Sequence, residues 1–138
     1  MNSHILIVED HQGVRQSLRE WLELSFPNYQ LLEAVNGEEA VTIARTMSPC
    51  LVIMAIGLPG MSGIEAAQGI KAAAPATRVV MLTIYDDEAH RSDAAAAGIS
   101  AYVPKRKVQT ELLPVLARLL AEERQKPPVP NGLAELSP

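Results

Sequence analysis

The sequence predicts an α/β fold built on one doubly wound parallel sheet, and three observations predict it. Short β-rich runs alternate five times with longer helical stretches. Three of these runs, Ile5-Leu6-Ile7-Val8, Leu51-Val52-Ile53-Met54 and Val79-Val80-Met81-Leu82, are apolar throughout, as strands covered by helices on both faces are. Strict βα alternation in 138 residues leaves room for a single sheet with right-handed crossovers.

Each element has its own signal. Tyr29 to Val35 and Ala101-Tyr102-Val103 are weaker strand runs and belong nearer the sheet edges. Val14, Leu18, Trp21, Leu22 and Leu24 recur at helical spacing, with Arg15, Arg19 and Glu23 on the other face, and Pro27 stops that helix. Asn36-Gly37-Glu38-Glu39 supplies a cap and early acids for a second helix through Ala40, Val41, Ile43, Ala44 and Met47. Ser62 caps a third, Ile64 to Ala74, which Pro75 ends. Asp86 or Asp87 opens a fourth, closed at Gly98. The fifth runs from about Val108 to Glu123, and Pro114 is tolerable there only if the helix starts late. Beyond Arg124, residues 125–138 are Pro-rich and read as a linker.

Composition narrows the function. The chain is 48% hydrophobic, the globular average, so it can build a core. With 12 Lys and Arg against 16 Asp and Glu, a formal charge of −4 and no basic run, it is poorly suited to grip nucleic acid or an anionic membrane by itself. The longest apolar stretch, Cys50 to Ile56, is far below the about 20 residues of a membrane span. Met1-Asn2-Ser3-His4 leads into a strand without the basic region of a signal peptide. Cys50 is alone and apolar in setting, and no Cys/His cluster has zinc-ligand spacing. The expectation is a cytoplasmic domain with no membrane contact.

In an open α/β sheet, ligands sit beyond the carboxyl ends of the strands. Glu9 and Asp10 follow the first strand there, Ala55 to Gly60 the third, Thr83 the fourth, and Pro104-Lys105 the fifth. Adjacent carboxylates at a strand end can share a hard cation such as magnesium. Each residue alone also has an ordinary reading: a solvated acidic turn, a strand-end hydroxyl, a surface lysine. Their coincidence at three strand ends is what points to a site. His11 could serve as ligand or base, but reads more simply as the start of the first helix. His4 and His90 carry no partner signal.

Four stretches carry a resemblance: Ile7-Val8-Glu9-Asp10-His11, Leu58-Pro59-Gly60-Met61-Ser62-Gly63, Val80-Met81-Leu82-Thr83 and Ala101-Tyr102-Val103-Pro104-Lys105. In this order and spacing, the chain resembles the receiver domain of bacterial response regulators from residue 4 to about 122. It looks most like the branch whose receiver precedes a helix-turn-helix DNA-binding domain of the LuxR/NarL type. The closing Leu133-Ala134-Glu135-Leu136-Ser137-Pro138 is similar to the opening of that second domain. The resemblance implies a flavodoxin-like sheet of order 2-1-3-4-5 flanked by five helices, a receiver over residues 1–124, and a linker leading to an absent DNA-binding domain.

It also implies roles. Glu9 and Asp10 would hold magnesium with the backbone carbonyl of Gly57. Thr83 would hydrogen-bond a phosphoryl oxygen, Lys105 would pair with the phosphoryl group, and Tyr102 would swing inward with Thr83. A histidine kinase would be the phosphate donor, and a homodimer would form in the full protein. The fourth-helix face around Ala94-Ala95-Ala96-Ala97, or the first and fifth helices, would carry the contacts. Such a domain is a switch and not an enzyme.

One position departs from the pattern. The family's acceptor is an aspartate five residues before Gly60, and this chain has Ala55 there. A methyl group cannot take phosphate, and neither Cys50 nor Ser62 lies where it could substitute. Ala55 therefore reads as a block, engineered or selected, in an otherwise ordinary receiver. The alternative is a natural pseudo-receiver, acting without phosphate as an interaction module. A flavodoxin-type cofactor binder needs a Ser/Thr/Gly-rich cradle after the first strand, where this chain offers Glu9-Asp10-His11. A small hydrolase would need a Gly-x-Ser-x-Gly turn that is absent.

Overall fold

The structure, a computed structural model, describes residues 4–55, 57–83 and 88–125, with side chains for all of these except 88–91, 106, 109 and 123–125. Five strands and five helices alternate: β1 His4–Val8, α1 Gln12–Ser25, β2 Gln30–Ala34, α2 Gly37–Met47, β3 Leu51–Ala55, α3 Gly63–Ala73, β4 Arg78–Thr83, α4 Glu88–Ala96, β5 Ala101–Pro104 and α5 Leu113–Gln125. The strands form one parallel sheet of order β2-β1-β3-β4-β5. The three wholly apolar runs are its three central strands, and the two weaker runs are its edges, as the sequence predicts.

Alternation along each strand divides the core in two. Leu6, Val8, Val52, Met54, Val79 and Met81 pack on one side with Ala40, Ala44, Ala66, Ala67 and Ile70 of α2 and α3. Ile5, Ile7, Leu51, Ile53, Val80 and Leu82 pack on the other with Leu22 of α1 and Leu116, Leu119 and Leu120 of α5. On the first side the helices approach closely: a Cβ on Gly69 would stand 2.9 Å from a Val41 methyl.

The capping residues do what their chemistry predicts. Asn36 accepts the N–H of Glu39 at 2.8 Å, and Ser62 and Glu65 form a reciprocal capping box. Gly98 follows α4 with φ +83°, a conformation that costs glycine nothing. Cys50 is buried, its Sγ donating to the His4 carbonyl. Of the four-alanine run that closes α4 and passes just beyond it, Ala94 and Ala97 are buried while Ala95 and Ala96 face solvent.

Three expectations need adjusting. The fifth helix does not start at Val108. A 3₁₀ turn, Lys105–Lys107, and a π-helical turn, Val108–Leu112, come first, so Pro114 stands second in α5, where its missing N–H is harmless. The α1 stripe is narrower than its periodicity: only Leu22 is fully buried, while Val14 is 44% and Leu24 is 84% exposed. The proposed start of the fourth helix at Asp86 or Asp87, and the tail from residue 126, lie outside the described residues.

The α1 difference gives a direct test. Leu22→Ala should lower stability by about 2–5 kcal/mol through cavity formation. Leu24→Ala should change it by no more than about 0.5 kcal/mol. Urea denaturation of the two variants reads the contrast.

Candidate functional site

Parallel strands end together, so the sheet topology gathers the residues that follow β1, β3, β4 and β5 at one edge. Register pairs Ala55 of β3 with Leu82 of β4, and Thr83 of β4 with Pro104 of β5. Glu9 leaves β1 with its N–H still bonded to the Ala34 carbonyl at 3.1 Å, which holds its backbone to the sheet. Its carboxylate is almost wholly buried (3% exposed), a costly setting for a charge without partners.

The structure supplies those partners. Glu9 Oε2 accepts the backbone N–H of His11 at 3.1 Å, and Oε1 lies 3.7 Å from Lys105 Nζ. Lys105 reaches Glu9 from the far edge of the sheet, and its ammonium stays partly in water, with the side chain 38% exposed. Asp10, next along, is exposed. His11 turns its ring toward both acids, with Nδ1 3.4 Å from Glu9 and 3.7 Å from Asp10.

Of the other predicted residues, Ala55, Thr83 and Tyr102 lie in β3, β4 and β5, and Gly57 follows β3. Ala55 ends β3 and is buried, with only its methyl to offer. Thr83 ends β4 and is fully buried. It shares the alternation of Val79 and Met81, whose side of the sheet is also the one on which the half-buried Tyr102 packs. Thr83 and Tyr102 therefore serve the same face. Gly57 is exposed, and a Cβ there would meet nothing within 4 Å.

Arg15 is the residue that sequence reading misplaced. Its periodicity puts it on the polar face of α1, yet its side chain is only 14% exposed. The guanidinium donates from Nη1 to the Glu9 carbonyl at 2.9 Å and from Nε to Glu33 of β2 at 2.8 Å. Arg19 donates to the other Glu33 oxygen at 2.6 Å. Burial alone would push the Glu33 carboxyl up, but the bonds and charges of the two arginines outweigh it and hold it below its ordinary value. The one signal for this was an acid in an edge strand opposite two arginines one helical turn apart. A cavity of about 630 Å³ adjoins the site on the α1 side, lined by Val14, Leu18, Trp21, Leu82, Lys105 and Val108.

The donor set differs from what the magnesium implied by the resemblance requires. Magnesium wants oxygens in near-octahedral array. Here Ala55 contributes none, one oxygen of Glu9 faces a lysine, and the side chain clustered with the two acids is a histidine. The residues present do not fit the three-oxygen site of the family.

Comparison with known proteins decides the lineage. The sequence profile of the response regulator receiver domain matches residues 5–117. The chain belongs to that family. Among solved structures, the receiver is similar to a LuxR-family two-component response regulator from Aurantimonas sp. SI85-9A1, with 33% identity, a TM-score of 0.81, and coverage of 88% of this chain and 87% of the other. Among curated proteins it is 28% identical over 121 residues to the response regulator UvrY of Escherichia coli, covering 88% of this chain and 56% of that protein. It is 38% identical over 109 residues to a cyclic di-GMP phosphodiesterase of Thermotoga maritima, covering 79% of this chain but 28% of that protein. The chain thus spans from about a quarter to just over half of these curated relatives. No helix among the described residues is long and apolar enough to cross a membrane.

Proposed function

We propose that this receiver is the phosphorylation switch of a transcriptional response regulator, held out of its usual chemistry by Ala55. The observation that carries this reading is the setting of that methyl group. It ends β3 at the same sheet edge as the acid pair Glu9 and Asp10, the hydroxyl of Thr83 and the ammonium of Lys105. Phosphoryl transfer to a carboxylate is chiefly positioning and charge neutralisation, and these are the groups such a transfer uses. In this reading Ala55 occupies the acceptor position, Thr83 and Lys105 would hold the phosphoryl group, and Thr83 with Tyr102 would form the switch. Glu9, Asp10 and the Gly57 carbonyl would complete a magnesium site only with the acceptor oxygen that Ala55 lacks, so binding in this form would be weak at most.

The partners follow from the same reading. A histidine kinase would donate phosphate to the acceptor-bearing form. DNA would be met only through a C-terminal helix-turn-helix domain joined by residues 125–138, and dimerisation would belong to that full protein. The work would be cytoplasmic and not enzymatic. In this form the switch rests in its inactive state.

Phosphotransfer tests the partnership. Radiolabelled phospho-kinases from the source organism, presented one at a time, should label the Ala55→Asp protein from at least one kinase within minutes. The unchanged chain should take no label from any of them. Label on the unchanged chain would contradict the assignment of Ala55. A failure of every kinase to label the variant would favour an interaction module that works without phosphate.

A further inference from the structure

The cavity of about 630 Å³ on the α1 side of the site has no part in the phosphate reading. Its size falls within the about 300–1,000 Å³ of sites for small organic molecules, which are mostly apolar with a few placed polar groups. The lining has that make-up. From α1 come Val14, Ser17 and Trp21, at spacings of three and four residues and so on one face of the helix. Leu82 of β4 and Val108 add apolar surface, and among the described residues Lys105 supplies the only charge.

Much of this apolar surface meets water. Val14 is exposed, and Trp21 and Val108 are only half-buried. Such surface gains free energy when an apolar group displaces water from it. Val108 also opens the π-helical turn Val108–Leu112, and turns of this kind are rare and recur at functional sites.

The charge is placed to orient a ligand. Lys105 Nζ lies 3.7 Å from Glu9 Oε1, an ion pair without a hydrogen bond, so that contact takes up none of the three ammonium donors. An anionic group on Nζ would gain a charge-assisted hydrogen bond, while an apolar body covers the α1 face. We propose that this cavity binds a small organic acid, with an apolar ring system against Val14, Trp21, Leu82 and Val108 and one anionic group on Lys105. The inference goes beyond the phosphate reading and needs no phosphate, so either can fail without the other. It gives the receiver a second input, because the anionic group and a phosphoryl group would both call on Lys105.

The probe is 1-anilinonaphthalene-8-sulfonate, set against its neutral analogue N-phenyl-1-naphthylamine, which lacks the sulfonate. Both dyes brighten in apolar surroundings, and Trp21 is the only tryptophan in the chain, so energy transfer from it reports binding at this cavity. The sulfonate dye should saturate at one per chain and quench Trp21. It should bind about fivefold more tightly than the neutral dye, a modest gain because Lys105 is partly in water and beside Glu9. Ser17→Phe places a ring in the cavity from an exposed helix position and should weaken the sulfonate dye about tenfold or more, with an unchanged circular dichroism melt. The proposal is overturned if binding does not saturate, if the neutral dye binds as tightly, or if the folded Ser17→Phe protein binds as well as the unchanged chain. It is also overturned if binding fades as the protein is concentrated, which would mean that a second copy covers the cavity.

Discussion

The Ala55→Asp protein is expected to unfold at a lower temperature than the unchanged chain and to regain stability when magnesium is added. Ala55 is buried at the end of β3, at the sheet edge that also holds the nearly wholly buried carboxylate of Glu9. A third carboxylate there adds like-charge repulsion and a desolvation cost. Lys105, already beside Glu9, can serve only part of that charge. The net penalty should be about 2 kcal/mol, less than a lone buried charge would cost because the rim is open to water. For a chain of this size that is a fall of about 5–10 °C in Tm. Magnesium reverses the sign, since three carboxylates give it the oxygen donors the present site lacks. Calorimetry with and without magnesium reads both halves. Equal melting of the two proteins, together with equal magnesium affinity, would contradict this account of the pocket.

Arg15→Ala should be the most damaging change at an α1 residue that sequence pattern assigns to the surface. The guanidinium ties three parts of the chain together: α1 itself, the Glu9 carbonyl at the end of β1, and Glu33 in edge strand β2. Its loss leaves that half-buried carbonyl without its donor and Glu33 with Arg19 alone, for an expected cost of about 2–3 kcal/mol. Arg19→Ala, which leaves both Arg15 bonds standing, should cost under about 1 kcal/mol. The pH dependence has a definite sign. The folded state holds Glu33 below its ordinary value of 4.5. Its stabilisation is therefore complete above that value and is lost as pH falls through the lower folded one. Arg15→Ala should accordingly flatten the acid limb of the stability curve as well as lower its plateau. Urea midpoints across pH 3–7 check both. A parallel downward shift, with the acid limb unchanged, would sever Glu33 from Arg15.

The residues show why the fold was legible and the site only partly so. Apolar runs such as Ile5–Val8 become central strands because burial on both faces leaves no other composition workable. Asn36, Ser62 and Gly98 act locally, so their chemistry can be read within a few residues. The stripe on α1 over-promised: spacing marks Val14 and Leu24 as core, but what covers a helix depends on its neighbour. The turns Lys105–Lys107 and Val108–Leu112 bring α5 in late, and Val14 and Val108 line a cavity. Strand-end acids were readable because topology alone sends them to one edge. The meeting of Lys105 with Glu9, and of Arg15 with the Glu9 carbonyl, depends on where long side chains reach. No periodicity encodes that. His11 was visible as a residue but not as a ring turned toward two carboxylates, because its neighbours in sequence explain it equally well as the start of a helix.

In the function proposed above, one residue, Ala55, separates this receiver from phosphoryl chemistry. The most direct measurement is intact mass after incubation with a small-molecule phosphodonor and magnesium, for the unchanged chain and for Ala55→Asp side by side. The mass of one added phosphoryl group is expected on the variant and none on the unchanged chain. A phosphoryl group on the unchanged chain would place the acceptor elsewhere, and an unmodified variant would mean that Glu9, Asp10, Thr83 and Lys105 no longer form a competent site.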